Sequence, residues 1–100
     1  MRVIARSSLA AYWVLHPETM RALSQWYRLV SAADWKSTSE VAHGIGSAKV
    51  LNRERVRFAV RGGSHRLIAS FDFQHGIAYV KFVGTHAEYD RIDALTVAQF

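Results

Sequence analysis

The sequence contains no cysteine, which excludes disulfide bonds and thiolate metal sites and is compatible with a reducing cytosol. No apolar run approaches the ~20 residues that a membrane-spanning helix needs, so we expect no membrane partner. Low-complexity tracts and solenoid-type repeats are also absent. One hundred residues, half of them hydrophobic, are enough for one compact core and too few for two. We therefore expect a single domain over residues 1–100.

Acidic residues are scarce relative to basic ones. The chain has 8 Asp and Glu against 13 Lys and Arg, which gives a net charge of +5 with neutral histidines and a sequence pI near 10.1. This balance favours a polyanionic partner such as nucleic acid, and an acidic protein would fit it equally well.

The first third of the chain has the apolar spacing of two helices. With Ser7 or Ser8 as its cap, the first helix presents an apolar and aromatic stripe at i, i+3, i+4 and i+7, formed by Leu9, Tyr12, Trp13 and His16. Pro17 closes this helix and opens a second one that runs to about Ala32. The second stripe consists of Met20, Leu23, Tyr27 and Val30. Trp26 lies off that stripe, so it either packs on another element or faces a partner. The two helices predict an α-α hairpin.

A β-meander is predicted in the second half. After Asp34–Lys36 the chain is irregular, and Ser37 with Glu40 forms a capping-box pattern before a short helix that ends near Gly44. Three β-like runs then follow, joined by turn signals at 62–63 and 74–76. Each of the first two runs has one apolar and one polar face. The exception is Ile68, an apolar residue on the polar face of the second run. In the third run, alternation predicts that Ala78, Val80 and Phe82 share one face and Tyr79, Lys81 and Val83 the other.

Helices followed by a three- or four-stranded sheet predict an α+β fold, with the helical hairpin on one face of a mainly antiparallel sheet. The uncovered face then carries basic side chains from all three strands: Arg55, Arg57, Arg61, Arg66 and Lys81. Beside it, the segment after Gly84 supplies His86, Tyr89 and Asp90 on a short C-terminal helix. Arginines bind phosphate oxygens and stabilise charge developing on phosphorus. Histidine transfers protons near neutrality, and tyrosine donates a proton or stacks on a base. The arrangement is suited to phosphodiester chemistry.

Structural explanations compete with each of these assignments. Alternating arginines on a strand commonly form a solvated face that prevents edge pairing. Thr85 and Glu88 fit a capping box, and His86 could belong to that cap. Asp90 could form a surface bridge to an arginine. For the other histidines, namely His16, His43, His65 and His75, we predict polar loop roles. The spacing of Asp72, Glu88 and Asp90 indicates no metal site.

Several stretches of this chain, taken together, resemble one protein family. The segments LHPE, WYRLVSAADWKS, NRERVRFAVRGGSHRLIASFDF and IAYVKFVGTHAEYDRIDA resemble, in this order, the helical hairpin, the Ala-Asp-Trp junction, the Arg-Leu strand and the C-terminal motif of the HigB toxins, within the RelE/ParE superfamily. The resemblance implies a RelE-like β-α-α-β-β-β fold, in which residues 1–5 are the first strand. It further implies a cytoplasmic, ribosome-dependent mRNA endonuclease (an mRNA interferase) that needs no metal or cofactor. The implied partners are the ribosome, mRNA and a helix-turn-helix HigA antitoxin, with operator DNA bound only through the antitoxin complex.

The resemblance also suggests roles for the candidate residues. In this superfamily the RNA 2′-hydroxyl attacks the adjacent phosphate and leaves a 2′,3′-cyclic phosphate. By this analogy His86 is the leading general acid or base, Tyr89 a second proton-handling or stacking group, and Arg66 and Lys81 hold the phosphate. Further phosphate contacts would come from Arg55, Arg57 and Arg61, and Asp90 would orient His86 or an arginine. Two other functions remain open on the same fold: a ParE-like non-catalytic inhibitor of DNA gyrase and a non-catalytic nucleic-acid-binding module.

Overall fold

The computed structural model describes residues 1–100. In chain order the elements are β1 (Arg2–Ile4), α1 (Arg6–Leu15), a 3₁₀ turn (Pro17–Thr19), α2 (Met20–Ala32), α3 (Thr38–Gly44), β2 (Ala48–Val50), β3 (Arg55–Val60), β4 (His65–Asp72), β5 (Ile77–Thr85) and α4 (His86–Tyr89). The strands form one sheet in the order β1-β5-β4-β3-β2. β1 is parallel to β5, and every other pair is antiparallel. This confirms the predicted α+β fold, including the first strand and the short C-terminal helix.

The sheet has one strand more than the sequence patterns predicted. β2 is an edge strand of three residues that pairs with β3, opposite Val56, Arg57 and Phe58. It follows Gly46 and Ser47 directly and is too short for an alternation to be recognised. No helix of the chain combines the length and the apolar character required to cross a membrane.

The helical hairpin of α1 and α2 covers one face of the sheet. Leu9, Leu23 and Val30 are fully buried there, and the Trp26 ring packs edge-on against Phe58 with centroids 5.4 Å apart. Of the two alternatives for Trp26, packing on another element is therefore confirmed. Met20, predicted to lie on the buried stripe, is instead 53% exposed. The 3₁₀ turn delays the start of α2 to Met20, which leaves this side chain at the outer end of the hairpin.

Two predicted helix caps differ in detail from the structure. Neither Ser7 nor Ser8 caps α1, since the helix begins at Arg6 after Ala5, without a side-chain cap. Ser37 does cap α3 and accepts a hydrogen bond from the Glu40 backbone N–H at 3.3 Å. The Glu40 carboxylate, however, accepts from the Lys36 backbone N–H at 3.0 Å. The second bond of the box is thus displaced by one residue from its expected donor.

A β-bulge in β5 overturns part of the predicted alternation. Ala69 pairs with Val80 and Ile68 with Phe82, so Lys81 is an extra residue between two paired positions. Beyond the bulge the faces are exchanged. Val83 joins the core under the hairpin, whereas Phe82 lies outside that core and pairs with Ile68, which was predicted on the polar side. The predicted faces of Phe82 and Val83 were wrong because a simple alternation cannot anticipate an inserted residue.

The C-terminal segment, residues 93–100, is bound to the sheet by side chains and backbone. The Arg55 guanidinium Nη1 donates to the carbonyls of Ala94 and Val97 at 3.1 and 2.8 Å. β1 pairs with β5 only as far as Tyr79, and Gln99 bonds to the backbone beyond that point. Its N–H donates to the Lys81 carbonyl, and its Oε1 accepts from the Val83 N–H, both at 2.9 Å. The segment is therefore anchored on both β3 and β5.

Candidate functional site

The basic side chains of the sheet follow its cross-strand rows. Arg66 lies between Ala59 and Gly84 in one row, and Arg57 shares the next row with Ile68 and Phe82. Successive residues of a strand point to opposite faces, and the core-facing residues of β3 are Val56, Phe58 and Val60. Arg55, Arg57 and Arg66 therefore lie on the face away from the hairpin, as predicted. We call this surface the basic face.

Arg66 and Tyr89 are brought together at the end of the basic face where β5 runs into α4. The guanidinium carbon of Arg66 lies 5.6 Å from the centre of the Tyr89 ring, a cation–π distance. Arg66 Nε also donates to the Gly63 carbonyl at 3.1 Å, and the Tyr89 ring lies 6.2 Å from that of Phe82. These contacts fix the positions of both candidate residues. Since only Nε of Arg66 is bonded within the chain, its two Nη groups remain available to a ligand.

His86 and Asp90 form a pair on α4. His86 Nδ1 lies 3.3 Å from Asp90 Oδ2, and both side chains are more than half exposed. The His86 backbone N–H donates to the Ser64 carbonyl at 2.9 Å, which attaches the start of α4 to the β3–β4 turn. Because Nδ1 faces the carboxylate, Nε2 is the ring nitrogen that is left for other contacts. Asp90 therefore contacts His86, the first of the two partners predicted for it.

The start of α4 is held by a complete capping box. The Thr85 backbone N–H donates to Glu88 Oε1 at 2.8 Å, and the Glu88 N–H donates to Thr85 Oγ1 at 3.1 Å. The bond from the Thr85 backbone is the largest cause that keeps the pKa of the Glu88 carboxyl below its usual value, and the Thr85 hydroxyl and His16 act in the same direction. The cap and the candidate site are compatible, because the cap uses Thr85 and Glu88 and leaves His86 and Tyr89 exposed or partly exposed.

Gly84 permits the close packing beside this helix. A Cβ atom at this position would lie 2.6 Å from Cζ of Phe82 and 3.2 Å from Oε1 of Glu88. The first distance is a collision, and the second would push on the capping carboxylate. A side chain at position 84 would therefore force the Phe82 ring and the capping carboxylate to move.

The cations of the basic face are not neutralised within the chain. No carboxylate oxygen lies within 4.0 Å of any arginine, since all the close ion pairs involve histidine or Lys36. Arg57 Nε is buried and has no hydrogen-bond acceptor. An unpaired buried donor of this kind carries a desolvation cost. The face therefore carries positive charge that no carboxylate of the chain neutralises.

Three of the predicted phosphate ligands are placed less favourably. Arg55 Nη1 is engaged by the C-terminal segment, as described above. Arg61 does not lie on a strand; it is an exposed turn residue after β3, with a φ of +51° in the left-handed region. Lys81 sits at the bulge with its Nζ 5.5 Å from the Tyr79 ring centre. The row of Ile68 and Phe82 separates Lys81 from the row of Arg66.

A second polar cluster lies under the hairpin at the same end of the sheet, and sequence reasoning missed it. His65, predicted to have a loop role, is the first residue of β4 and only 5% exposed. Its Nδ1 lies 2.7 Å from the Tyr12 hydroxyl, and its Nε2 lies 3.3 Å from Glu18 Oε2. His16 Nδ1 lies 3.8 Å from the same carboxylate oxygen. We call His16, Glu18, His65 and Tyr12 the hairpin cluster.

Burial, hydrogen bonds and nearby charges shift the pKa values of two members of the hairpin cluster, Tyr12 and Glu18. Burial raises the pKa of Tyr12 to about 12, and the negative charges of Glu88 and Glu18 add to the effect. The backbone N–H of Glu18 is the largest cause that lowers the pKa of its own carboxyl, with His65 and His16 contributing. A signal for His65 was present in the sequence, because it has the parity of Leu67 and Ala69 and so belongs to the buried face.

The chain matches the model of one known protein family. No curated protein matches the chain. The family model described as HigB toxin, the RelE-like toxic component of a toxin–antitoxin system, matches residues 19–92. This range extends from the end of the 3₁₀ turn to just beyond α4, and it includes the whole basic face and the His86–Asp90 pair. The chain therefore belongs to the HigB family of RelE-like toxins and is the toxin of a toxin–antitoxin system, with an antitoxin as its partner.

Proposed function

We propose that this toxin is an mRNA endonuclease that cleaves translated message on the ribosome in the cytoplasm. The observation that carries the proposal is the basic face: Arg57 and Arg66 have no carboxylate partner, and Arg66 meets Tyr89 beside the His86–Asp90 pair. Cations that are not neutralised within the chain favour a phosphodiester ligand. The His86 imidazole, on the adjoining helix α4, supplies a group that can donate or accept a proton.

In the proposed reaction the 2′-hydroxyl of RNA attacks the adjacent phosphorus. The 2′-oxygen loses its proton as the new P–O bond forms, the bond from phosphorus to the 5′-oxygen breaks, and the leaving oxygen takes up a proton. The products are a 2′,3′-cyclic phosphate and a free 5′-hydroxyl. His86 transfers one of these protons, and Asp90 holds the imidazole by Nδ1. Tyr89 either transfers the other proton or stacks on a base.

The phosphate group is assigned mainly to Arg66, with Arg57 in the neighbouring row. Guanidinium groups stabilise the additional negative charge that builds on the non-bridging oxygens during attack. Lys81 is assigned to the backbone of a neighbouring nucleotide, since the row of Ile68 and Phe82 lies between it and Arg66. Arg61 is exposed in its turn and is assigned an outer contact. We leave Arg55 out of the phosphate site because its guanidinium holds the C-terminal segment.

The proposed partners follow from the family. A helix-turn-helix antitoxin of the HigA type would neutralise the toxin, and operator DNA would be bound only through that complex. The net charge of +5 is suited to the ribosome and its RNA, and it predicts that association weakens as salt rises.

Expression without antitoxin tests the site. The wild-type toxin should arrest growth, and His86→Ala and Tyr89→Ala should each restore it while still folding and binding antitoxin. His75→Ala is the matched control: its imidazole Nδ1 also contacts an aspartate, Asp72 Oδ2 at 2.8 Å, but in the β4–β5 turn at the other end of the strands. This variant should remain toxic. Undiminished toxicity of both site variants, or DNA damage without any mRNA cleavage, would contradict the proposal; the second result would indicate a gyrase inhibitor.

A further inference from the structure

The hairpin cluster contains three side chains of the types that bind zinc. Two imidazoles and one carboxylate converge there from separate parts of the chain: His16 follows α1, Glu18 lies in the 3₁₀ turn, and His65 begins β4. One ligand atom from each lies within 4.8 Å of the other two. Two histidines and one glutamate are a common protein ligand set for a four-coordinate Zn²⁺ that keeps one further position for water.

The distances suit a small ion. Zn²⁺ binds imidazole nitrogen and carboxylate oxygen at about 2.0–2.2 Å, so ligand atoms of a tetrahedral site lie roughly 3.3–3.5 Å apart. His65 Nε2 and Glu18 Oε2 are already 3.3 Å apart, and His16 Nδ1 lies 3.8 Å from the same oxygen. The third pair of ligand atoms, from His16 and His65, lies within 4.8 Å. The His16 and Glu18 side chains are 32% and 37% exposed, so they are less tightly packed than His65 and are the ligands expected to adjust.

The most buried ligand is also held from behind. His65 Nδ1 lies 2.7 Å from the Tyr12 hydroxyl, so Nε2 points toward Glu18. Metal-binding histidines usually have their second ring nitrogen fixed by such a hydrogen bond. The Tyr12 hydroxyl can donate or accept, so it can satisfy Nδ1 in the tautomer that leaves the Nε2 lone pair for a metal. The partial exposure of His16 and Glu18 provides a path from solvent.

No comparable set exists elsewhere in the chain. His75 and His86 each contact a single aspartate, and no other group of three histidine or acidic side chains has ligand atoms this close together. The absence of cysteine leaves nitrogen and oxygen as ligand atoms, which suits Zn²⁺ and neighbouring divalent transition metals more than soft monovalent ions.

We infer that His16, Glu18 and His65 form a binding site for one divalent transition-metal ion, with Zn²⁺ as the representative ligand, supported by the Tyr12 hydroxyl. A bound ion would tie the end of α1 and the 3₁₀ turn to the first residue of β4. The ligands lie on the hairpin side of the sheet, whereas Arg57 and Arg66 of the proposed RNA site lie on the basic face, so the ion would connect elements of the fold without contacting those arginines. The inference stands independently of the proposed cleavage activity.

Calorimetric titration of the untagged, metal-free toxin with ZnCl₂ tests the site. We expect one Zn²⁺ per chain, and a Tm increase of about 10–20 °C when Zn²⁺ exceeds its Kd roughly a hundredfold. His16→Ala and Glu18→Gln should each weaken binding more than the roughly 10–100-fold that loss of an outer hydrogen-bond partner causes. Tyr12→Phe keeps the ring and removes the hydroxyl, and it should weaken binding within that 10–100-fold range.

The controls separate this site from surface binding and from misfolding. His75→Ala should bind Zn²⁺ like the wild type, since only the β4–β5 turn is changed. Metal-free His16→Ala should melt within a few degrees of the metal-free wild type, because its imidazole is partly exposed and contributes no hydrogen bond to the core. The inference is overturned if the wild type binds no Zn²⁺, or if His16→Ala and Glu18→Gln bind it with wild-type affinity.

Discussion

Two histidines, His65 and His86, lie close together in this fold, and their different surroundings suit them to different roles. His65 pairs across the sheet with Thr85, and His86 is the next residue along the chain. Each contacts a carboxylate at 3.3 Å. His65, however, is buried under the hairpin and bonded to Tyr12, whereas His86 is half exposed on a short helix. A buried imidazole with fixed partners connects elements of the fold, and an exposed one with a free nitrogen can reach a substrate. Substitutions should separate these two roles.

The largest expected effect concerns His86. His86→Ala should lower the rate of mRNA cleavage by about 10²–10⁴-fold, the usual contribution of a general acid or base. The Tm should change little, because the side chain is half exposed and its ion pair with Asp90 is also exposed. Cleavage of translated message and thermal melting of the same preparation give both values. If the Tm decreased as much as it does when a buried residue is substituted, His86 would instead be supporting the fold.

His65→Ala should give the opposite pattern. The substitution leaves a cavity at a buried position and removes the partners of the Tyr12 hydroxyl and the Glu18 carboxylate. We expect a loss of about 2–4 kcal/mol in the free energy of unfolding, measured in urea without metal. The folded fraction should still cleave RNA. Wild-type stability of this variant would show that the hairpin cluster does not hold the hairpin to the sheet.

Arg55 tests the boundary between the structural and functional parts of the basic face. Arg55→Met keeps most of the side-chain volume but removes the donors to Ala94 and Val97, so we expect a loss of about 1–2 kcal/mol. The backbone N–H of Gln99, which donates to the Lys81 carbonyl, should exchange its hydrogen with solvent faster than in the wild type. The matched variant Arg57→Met should leave that exchange unchanged and weaken RNA binding. If the two variants weaken RNA binding equally, Arg55 belongs to the phosphate site after all.

The smallest effect concerns the cap of α4. Thr85→Ala should cost about 1 kcal/mol, as for other N-cap threonines. The lowered pKa of Glu88 means that its stabilising contribution is present above about pH 4.5 and is lost as the pH falls through the folded-state value. Glu88→Gln should therefore reduce the loss of stability in that acidic range. Denaturant unfolding between pH 3 and 6 checks this, and an unchanged pH dependence would show that the capping carboxylate contributes nothing.

Much of the fold followed from local patterns. The hairpin could be predicted because apolar residues recur at helical spacing within each helix, around Leu9 in the first and from Leu23 to Val30 in the second. The capping box was recognisable from two residue types three apart, Thr85 and Glu88. The alternation in β3 placed Val56, Phe58 and Val60 correctly on the buried face. These features depend on neighbours within one or two turns of chain, which a single sequence displays directly.

The features that escaped prediction depend on distant parts of the chain. The bulge at Lys81 follows from how β5 pairs with β4, and it exchanges the faces of Phe82 and Val83. The anchoring of Arg55 requires the C-terminal segment to fold back over the sheet. Likewise, His16 and Glu18 meet His65 only after the hairpin has packed. For the candidate site, residue types predicted that Arg66, Tyr89 and His86 carry suitable chemistry, and the structure adds the contact between Arg66 and Tyr89 and the pairing of His86 with Asp90.

The most direct test of the central claim is to map the 5′ ends of mRNA after brief expression of wild-type toxin, His86→Ala and His75→Ala. We expect new ends in phase with codons inside translated frames for the wild type and for His75→Ala, and none for His86→Ala. Intact message with the wild-type toxin, or the same cuts with His86→Ala, would contradict it.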